Sequence, residues 1–446
     1  MLKIFANAWR VEDIRKKLLF VFLLLLIFRF GSALPLPGIN LEVLELARGG
    51  GGAFQQDVVM TVFSMITGGG IGSLFAMGIA PYITASIIMQ LLTYAIPQLA
   101  EMKKDGEEGN KKIQQITRYL AVVLSALQAA ATVFSYTNFN RSGISLFRES
   151  NIFVYAIATL AMMTGTIFIM WLAELITEKG IGQGASFLIF ANILVTLPVG
   201  VMQLWTVITG NNTFVGIGIV ATVLVIFIAI IYFVVRVHEG ERRIPVQYAK
   251  RAAASGRGSG MHGNHNSFIP IKVNLAGVLS IIFAMSLSQF PMQISQFFPS
   301  HEAADPNFLE RIAEWLAWDH WFGIIVYVIL IFLFTHFYTS FAVNPREMAE
   351  NMKKNGGFIP GIRPGTPTSD FIQTTVNRLS WVGAVFYAMI ALIPILLDRV
   401  LYWVTGENMQ LGFGGTSLLI VTGVALEFVK QLESQLLMRH YKGFLD

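Results

Sequence analysis

Few residues in this sequence are equipped for covalent chemistry. No cysteine occurs among the 446 residues, which removes thiolate nucleophiles, disulfides and cysteine metal sites together. His262 and His265 stand close together, but in a glycine-rich loop with no third ligand nearby; a solvated loop accounts for them better than a bound metal. No H-E-x-x-H occurs, and the run Gly68-Gly69-Gly70-Ile71-Gly72 lacks both the G-x-G-x-x-G spacing and a preceding strand, so it does not read as a nucleotide cradle. Asp398 with Arg399, Glu174, Glu427 and Arg29 all fall near the ends of apolar runs. His336 alone sits well inside one, where a packed or hydrogen-bonded histidine is the simplest reading. Ion-coupled carriers place ionisable groups at the membrane midplane. The sequence therefore predicts no catalytic residue, no metal and no cofactor.

What remains is an apolar frame. The chain is 54% hydrophobic and 13% charged, with a mean hydropathy of +0.60, and soluble domains carry roughly 25% charge. Spans of about 20 apolar residues can be placed ten times: Leu18–Leu34, a broken segment ending at Ile96, Tyr119–Tyr136, Ile152–Leu172, Ala185–Ile208, Phe214–Val235, Val273–Phe290, Phe322–Val343, Ser380–Val404 and Thr416–Val429, the last trailing to about Leu432. With the N-terminus inside, 26 of the 32 Lys and Arg fall on cytosolic segments, leaving Arg29, Arg48, Arg141, Arg148, Arg311 and Arg399 outside or at outer span ends. That bias is a strong positive-inside signal, and it puts both termini in the cytosol. Residues 1–17 and 433–446 are then cytosolic ends, and 18–208 and 214–432 are two halves of five spans each. Because five is odd, two similar halves must lie in opposite orientations, as in inverted-repeat transport proteins. The fold class expected is an all-α polytopic membrane protein.

Met65–Leu92 departs from a plain span. It is apolar, yet broken by Gly68, Gly69, Gly70, Gly72, Gly78 and Pro81. Unpaired backbone groups are costly in hydrocarbon, so the segment is either a kinked span with a glycine-rich entry loop or a broken helix lining a pathway. Two cytosolic loops, 236–272 and 344–378, are longer than bundle connections require. Both carry cations among turn residues, in GERRIPVQYAKR and VNPREMAENMKKNGGFIPGIRPG. Such loops suit docking of a large acidic partner, RNA phosphate included. Topology and anionic lipid alone would ask for less.

These stretches, together with GIAPYITASIIMQLLT at 78–93, TEKGIGQGASFLIF at 177–190 and FGGTSLLIV at 413–421, resemble the bacterial SecY family of protein-translocase channels. The resemblance runs from about Trp9 to Tyr441. It implies a ten-helix channel that opens like a clam between its halves, passes unfolded secretory chains and releases apolar segments through a lateral gate, between the second and third spans on one side and the seventh and eighth on the other. By motif it implies a pore ring of Ile79, Ile83, Ile189, Ile282 and Ile420, a branched apolar constriction that dewets and blocks ions. It implies a plug over about residues 60–75, with Thr67, Gly68, Gly69, Gly70, Ile71, Gly72, Ser73 and Leu74 assigned to it. It also implies contacts to the SecA motor ATPase and the ribosome at Arg242, Arg243, Lys250, Arg251, Arg346, Lys353, Lys354 and Arg363. SecE-like and SecG-like membrane subunits, secretory and membrane-protein substrates and the lipid bilayer complete the implied partners. The implied location is the bacterial cytoplasmic membrane, with the plastid thylakoid as the other setting of related channels. A small-molecule carrier and a membrane-embedded enzyme are the rival classes, and both would need polar groups at mid-depth.

Overall fold

A helix stands at each of the ten places where hydropathy calls for a span. The computed structural model describes residues 7–40, 72–138, 146–149, 151–195, 213–248, 267–273, 277–295, 308–317, 320–405 and 415–442. In chain order its helices are α1 (Glu12–Ala33), α2 (Ala80–Ala95), α3 (Pro97–Lys104), α4 (Glu107–Asn138) and α5 (Ile152–Lys179). Then come α6 (Gly184–Val195), α7 (Thr213–Glu239), α8 (Leu279–Ser295), α9 (Phe308–Leu316), α10 (Trp321–Ala342), α11 (Pro345–Lys354), α12 (Thr366–Thr405) and α13 (Gly415–Lys442). Five of these are long and apolar enough to cross a membrane alone, and α2 with α3 makes a sixth, bent span. The expected span Ala185–Ile208 is seen as α6 to Val195; its remainder lies outside the described residues. The chain is a multi-pass helical membrane protein.

Local chemistry explains the breaks. Ile96 is extended, as a residue before proline prefers, and Pro97 supplies the first turn of α3. The two helices meet at 98°. Pro81 sits in the first turn of α2, where its missing N–H costs nothing. Large apolar side chains such as Phe30, Ile152, Ile228 and Val225 are exposed, which fits a lipid-facing belt and would be intolerable in water on this scale. Only 17% of the α7 span is buried against 47% of the α12 span, so α7 lies at the periphery and α12 is central.

Several helices outrun the spans that apolarity marks. Helix α12 starts at Thr366 rather than Ser380 and is 40 residues long, about 60 Å, twice the hydrocarbon thickness. The final helix continues to Lys442, well past Leu432. Its continuation is amphipathic: Leu432 and Leu436 pack with Ile14 and Ile181, so tertiary contact extends the helix after the apolar run ends. Helix α9, on the outer side, was not marked by hydropathy either; its Trp315 meets Phe322 edge-on, at the level where aromatic belts form.

The cytosolic loops hold the second addition to the sequence reading, a small sheet. Strands β1 (Glu241–Tyr248), β2 (Ser267–Lys272) and β3 (Gly357–Phe358) are ordered β2-β1-β3, both pairings antiparallel, with Ile244 opposite Ile269 and Gln247 opposite Phe358. Ile244 and Val246 alternate inward onto Ile271, Met352, Ile372 and Val376. The described parts of the two long cytosolic loops are thus folded on the projecting start of α12.

Candidate functional site

The glycine-broken stretch is described from Gly72 onward. Gly72 and Gly78 have φ of +71° and +51°, the left-handed region open to glycine, and the chain between them descends in turns until α2 begins at Ala80. This descent is anchored. The N–H of Leu36 donates to Gly72 O and that of Leu74 to Leu34 O, both at 2.9 Å, so Ser73 bridges Pro35. Phe75 stacks between Phe28 of α1 and Phe168 of α5, ring centroids 6.1 and 6.0 Å away. Gly31 and Gly165 permit this: a Cβ on Gly31 would sit 2.1 Å from the Phe75 ring, and one on Gly165 2.4 Å from the Leu74 carbonyl. Of the residues assigned to the plug, Gly72, Ser73 and Leu74 are described, and these contacts hold them against α1 and α5. Thr67, Gly68, Gly69, Gly70 and Ile71 lie outside the described residues.

Beyond the anchor, the five isoleucines are all buried in the same large apolar core. Ile79 precedes α2, Ile83 lies one turn into it, and Ile189, Ile282 and Ile420 come from α6, α8 and α13. All five belong to one apolar cluster, with exposures of 2, 7, 2, 4 and 1% respectively. On the cytosolic side a cavity of about 430 Å³ reaches down to Ile282 and Ile420. The cavity thus ends on two members of this apolar cluster. Isoleucine side chains offer no hydrogen bonds, and a surface of them repels water and ions alike.

Helix α2 links this cluster to the seam between the halves. Tyr338 of α10 donates a hydrogen bond from its hydroxyl to the Gln90 side-chain carbonyl. One turn on, Tyr94 meets Phe337 edge-on at 5.6 Å, and Phe283 of α8 packs on Tyr338 and Phe334. On its other side α2 packs through Ala85 and Tyr82 on Ala121 and Met170, and there Arg118 of α4 pairs with Glu174 of α5 at 2.6 Å. The sequence places Glu174 near a span end, where snorkelling or an interfacial pair would account for it, and a pair is what stands there; Gln90 was missed. The available signal was a lone glutamine in the run IIMQLL. His336, expected to be packed or hydrogen-bonded, lies 3.4 Å from the Ser380 hydroxyl. Arg399 stacks over Trp321 at 4.7 Å, at the outer end of α12.

The cationic candidates are carried by the cytosolic sheet and its surroundings. Arg242 and Arg243 on β1, Arg346, Lys353 and Lys354 on α11, and Arg363 after β3 are all exposed. Arg243 is already engaged, pairing with Glu241 at 2.6 Å and lying 4.8 Å over the Phe268 ring. Arg363 is set in a turn whose carbonyl accepts from the Thr368 hydroxyl at 2.9 Å, and no carboxylate among the described residues pairs with it. Asn344 caps α11 by accepting from the Glu347 N–H. Lys250 and Arg251 lie outside the described residues.

Comparison with known proteins covers nearly the whole chain. A family model described as SecY matches residues 73–429. The protein translocase subunit SecY of Bacillus licheniformis is 40% identical over 454 residues, spanning 100% of both chains. Those of Streptomyces coelicolor and Bacillus subtilis are 41% and 39% identical, again over 100% of each. Among solved structures, one described as a protein conducting channel matches with a TM-score of 0.63 at 19% identity, over 93% of this chain and 90% of that one. Sec61 in the canine ribosome-channel complex from the endoplasmic reticulum gives 0.63 at 18% identity over the same shares. At such identities the likeness concerns the fold, and the two folds agree along their length.

Proposed function

Because the chain belongs to the SecY family, we propose that it is the central protein-conducting channel of a bacterial cytoplasmic membrane, passing unfolded signal-bearing polypeptides and releasing apolar segments sideways into lipid. The observation that supports this reading is that Ile79, Ile83, Ile189, Ile282 and Ile420, from both halves of the chain, are all buried in one apolar core, with a cytosolic cavity ending on two of them. A ring of branched side chains deforms around any passing chain and closes behind it. The inverted five-span halves part along the seam of α2 and α4 against α8 and α10, and the plug over about residues 60–75 swings on the end anchored at Ser73. The pore itself is passive. Its drive comes from a SecA motor ATPase or the ribosome, docked on Arg242, Arg243, Lys250, Arg251, Arg346, Lys353, Lys354 and Arg363, with SecE-like and SecG-like subunits completing the membrane complex.

The ring assignment is tested in vesicles holding this chain with those small subunits. Replacing Ile420→Gly or Ile83→Asn removes apolar surface worth about 1.5–3 kcal/mol per side chain from the constriction. Resting ion leak should then rise about tenfold or more. Leak no greater than that of the unmodified channel means these isoleucines do not form the seal.

A further inference from the structure

The cytosolic cavity carries more chemistry than a passive mouth needs. Its floor is Ile282 and Ile420 and it follows α13 up to Ser434, about 20 Å of helix, so a chain threading the isoleucine cluster passes along it. Two cations from remote parts of the sequence face this space: Lys272 at the end of β2 and Lys430 on α13. Both lie close enough to His238 of α7 to act on it electrostatically. Among the described residues neither lysine has a carboxylate within ion-pair distance. The wall between them offers neutral hydrogen-bonding groups, Gln183, Ser186, Gln431 and Ser434. The first turns of α6 and α8 border it as well, through Ser186 and Leu279. Helix N-termini present N–H groups with no partner within the helix and a positive dipole end. Among the lining residues the opposing charge is Glu427, exposed and three residues before Lys430. Even with it counted, the two lysines leave the cavity cationic.

We infer that this cavity, flanked by Lys272 and Lys430, receives the acidic side chains of the polypeptide in transit, holding carboxylates briefly at the cytosolic mouth and giving no such hold to neutral or basic stretches. The inference rests on the channel reading above and adds a selectivity to it. A carboxylate placed between two ammonium groups in a half-enclosed, part-apolar pocket is attracted more strongly than in bulk water. The open side keeps its desolvation cost small. Passage of an acidic stretch is therefore slowed at this point, ahead of the constriction, while a run of lysines is repelled.

The experiment uses the full chain with its small subunits and motor in vesicles, and three precursors identical but for a tract of Asp, Asn or Lys. Protease protection is followed in time. In the unmodified channel the Asp precursor should lag the Asn precursor about two- to fivefold, the size of partly exposed charge contacts. Lys272→Met with Lys430→Met should bring the Asp precursor to the Asn rate, while Glu427→Gln should lengthen the lag. The Asn precursor should move equally in every variant, showing the channel intact. An Asp lag that is absent, or that survives both lysine replacements, overturns the inference and leaves the channel standing. An Asn precursor never protected in the unmodified channel overturns the channel reading, and this inference with it.

Discussion

The two sides of α2 are held by different physics. Toward its own half it packs Ala85 and Tyr82 on Ala121 and Met170, and the neighbouring α4 and α5 are pinned by the Arg118–Glu174 pair, with the Glu174 side chain only 12% exposed. Toward the other half it meets a neutral hydrogen bond from Tyr338 to Gln90, the Tyr94–Phe337 edge contact and apolar packing. A sheltered ion pair is costly to break, because one partner is left charged and unsatisfied. A neutral hydrogen bond contributes about 1 kcal/mol, and apolar packing loses little when lipid or an apolar segment replaces the partner helix. The first half is therefore held more firmly than the seam, which is the asymmetry the proposed lateral gate requires.

The contrast can be broken most severely at the ion pair. Glu174→Ala leaves Arg118 without its carboxylate and should cost about 2–4 kcal/mol, discounted for the partial exposure of the arginine, seen as a lower Tm of the complex in mild detergent. A melting curve that overlays the unmodified protein would mean the first half is not pinned there. Tyr338→Phe should do the reverse, changing Tm little but removing about 1 kcal/mol from the closed seam, which is about a fivefold shift toward the parted state. Because the chain has no cysteine, the pair Tyr94→Cys with Phe337→Cys reports on this directly. Disulfide formation across the seam should slow when Tyr338→Phe is added. An unchanged rate would show that the hydrogen bond is no latch. The smallest effect is expected on the cytosolic sheet. Arg243→Ala removes the contacts to Glu241 and Phe268 and should loosen β1 by about 0.5–1 kcal/mol, read as faster amide exchange at Ile244 and Val246 with no change in ion leak.

Much of this was legible in the residues, for reasons that can be stated. Long apolar runs and the placement of 26 cations on one side specify ten helices and their direction, because the bilayer leaves few other solutions. The glycines before Ala80 and the proline at 97 likewise mark where α2 starts and ends. Helix ends beyond the membrane were not legible. Thr366–Leu379 and Leu432–Lys442 are helical because Ile372, Val376, Leu432 and Leu436 find partners, and hydropathy does not see partners. The sheet was hidden by Pro245 and Pro270, which argue against strands. Pro245 is tolerated because it pairs only toward β2, β3 reaching β1 no further than Gln247 and Tyr248. The Gln90–Tyr338 contact links residues remote in sequence and carries no motif.

The central claim is that a polypeptide crosses through the isoleucine cluster. The most direct measurement places a photoreactive residue in turn at positions 83, 189, 282 and 420, and at the lipid-facing Leu160 as control, in the reconstituted complex with a precursor arrested midway. The account predicts cross-links from all four cluster positions to the arrested chain and none from 160. Cross-links spread evenly over the five positions, or confined to 160, would contradict it.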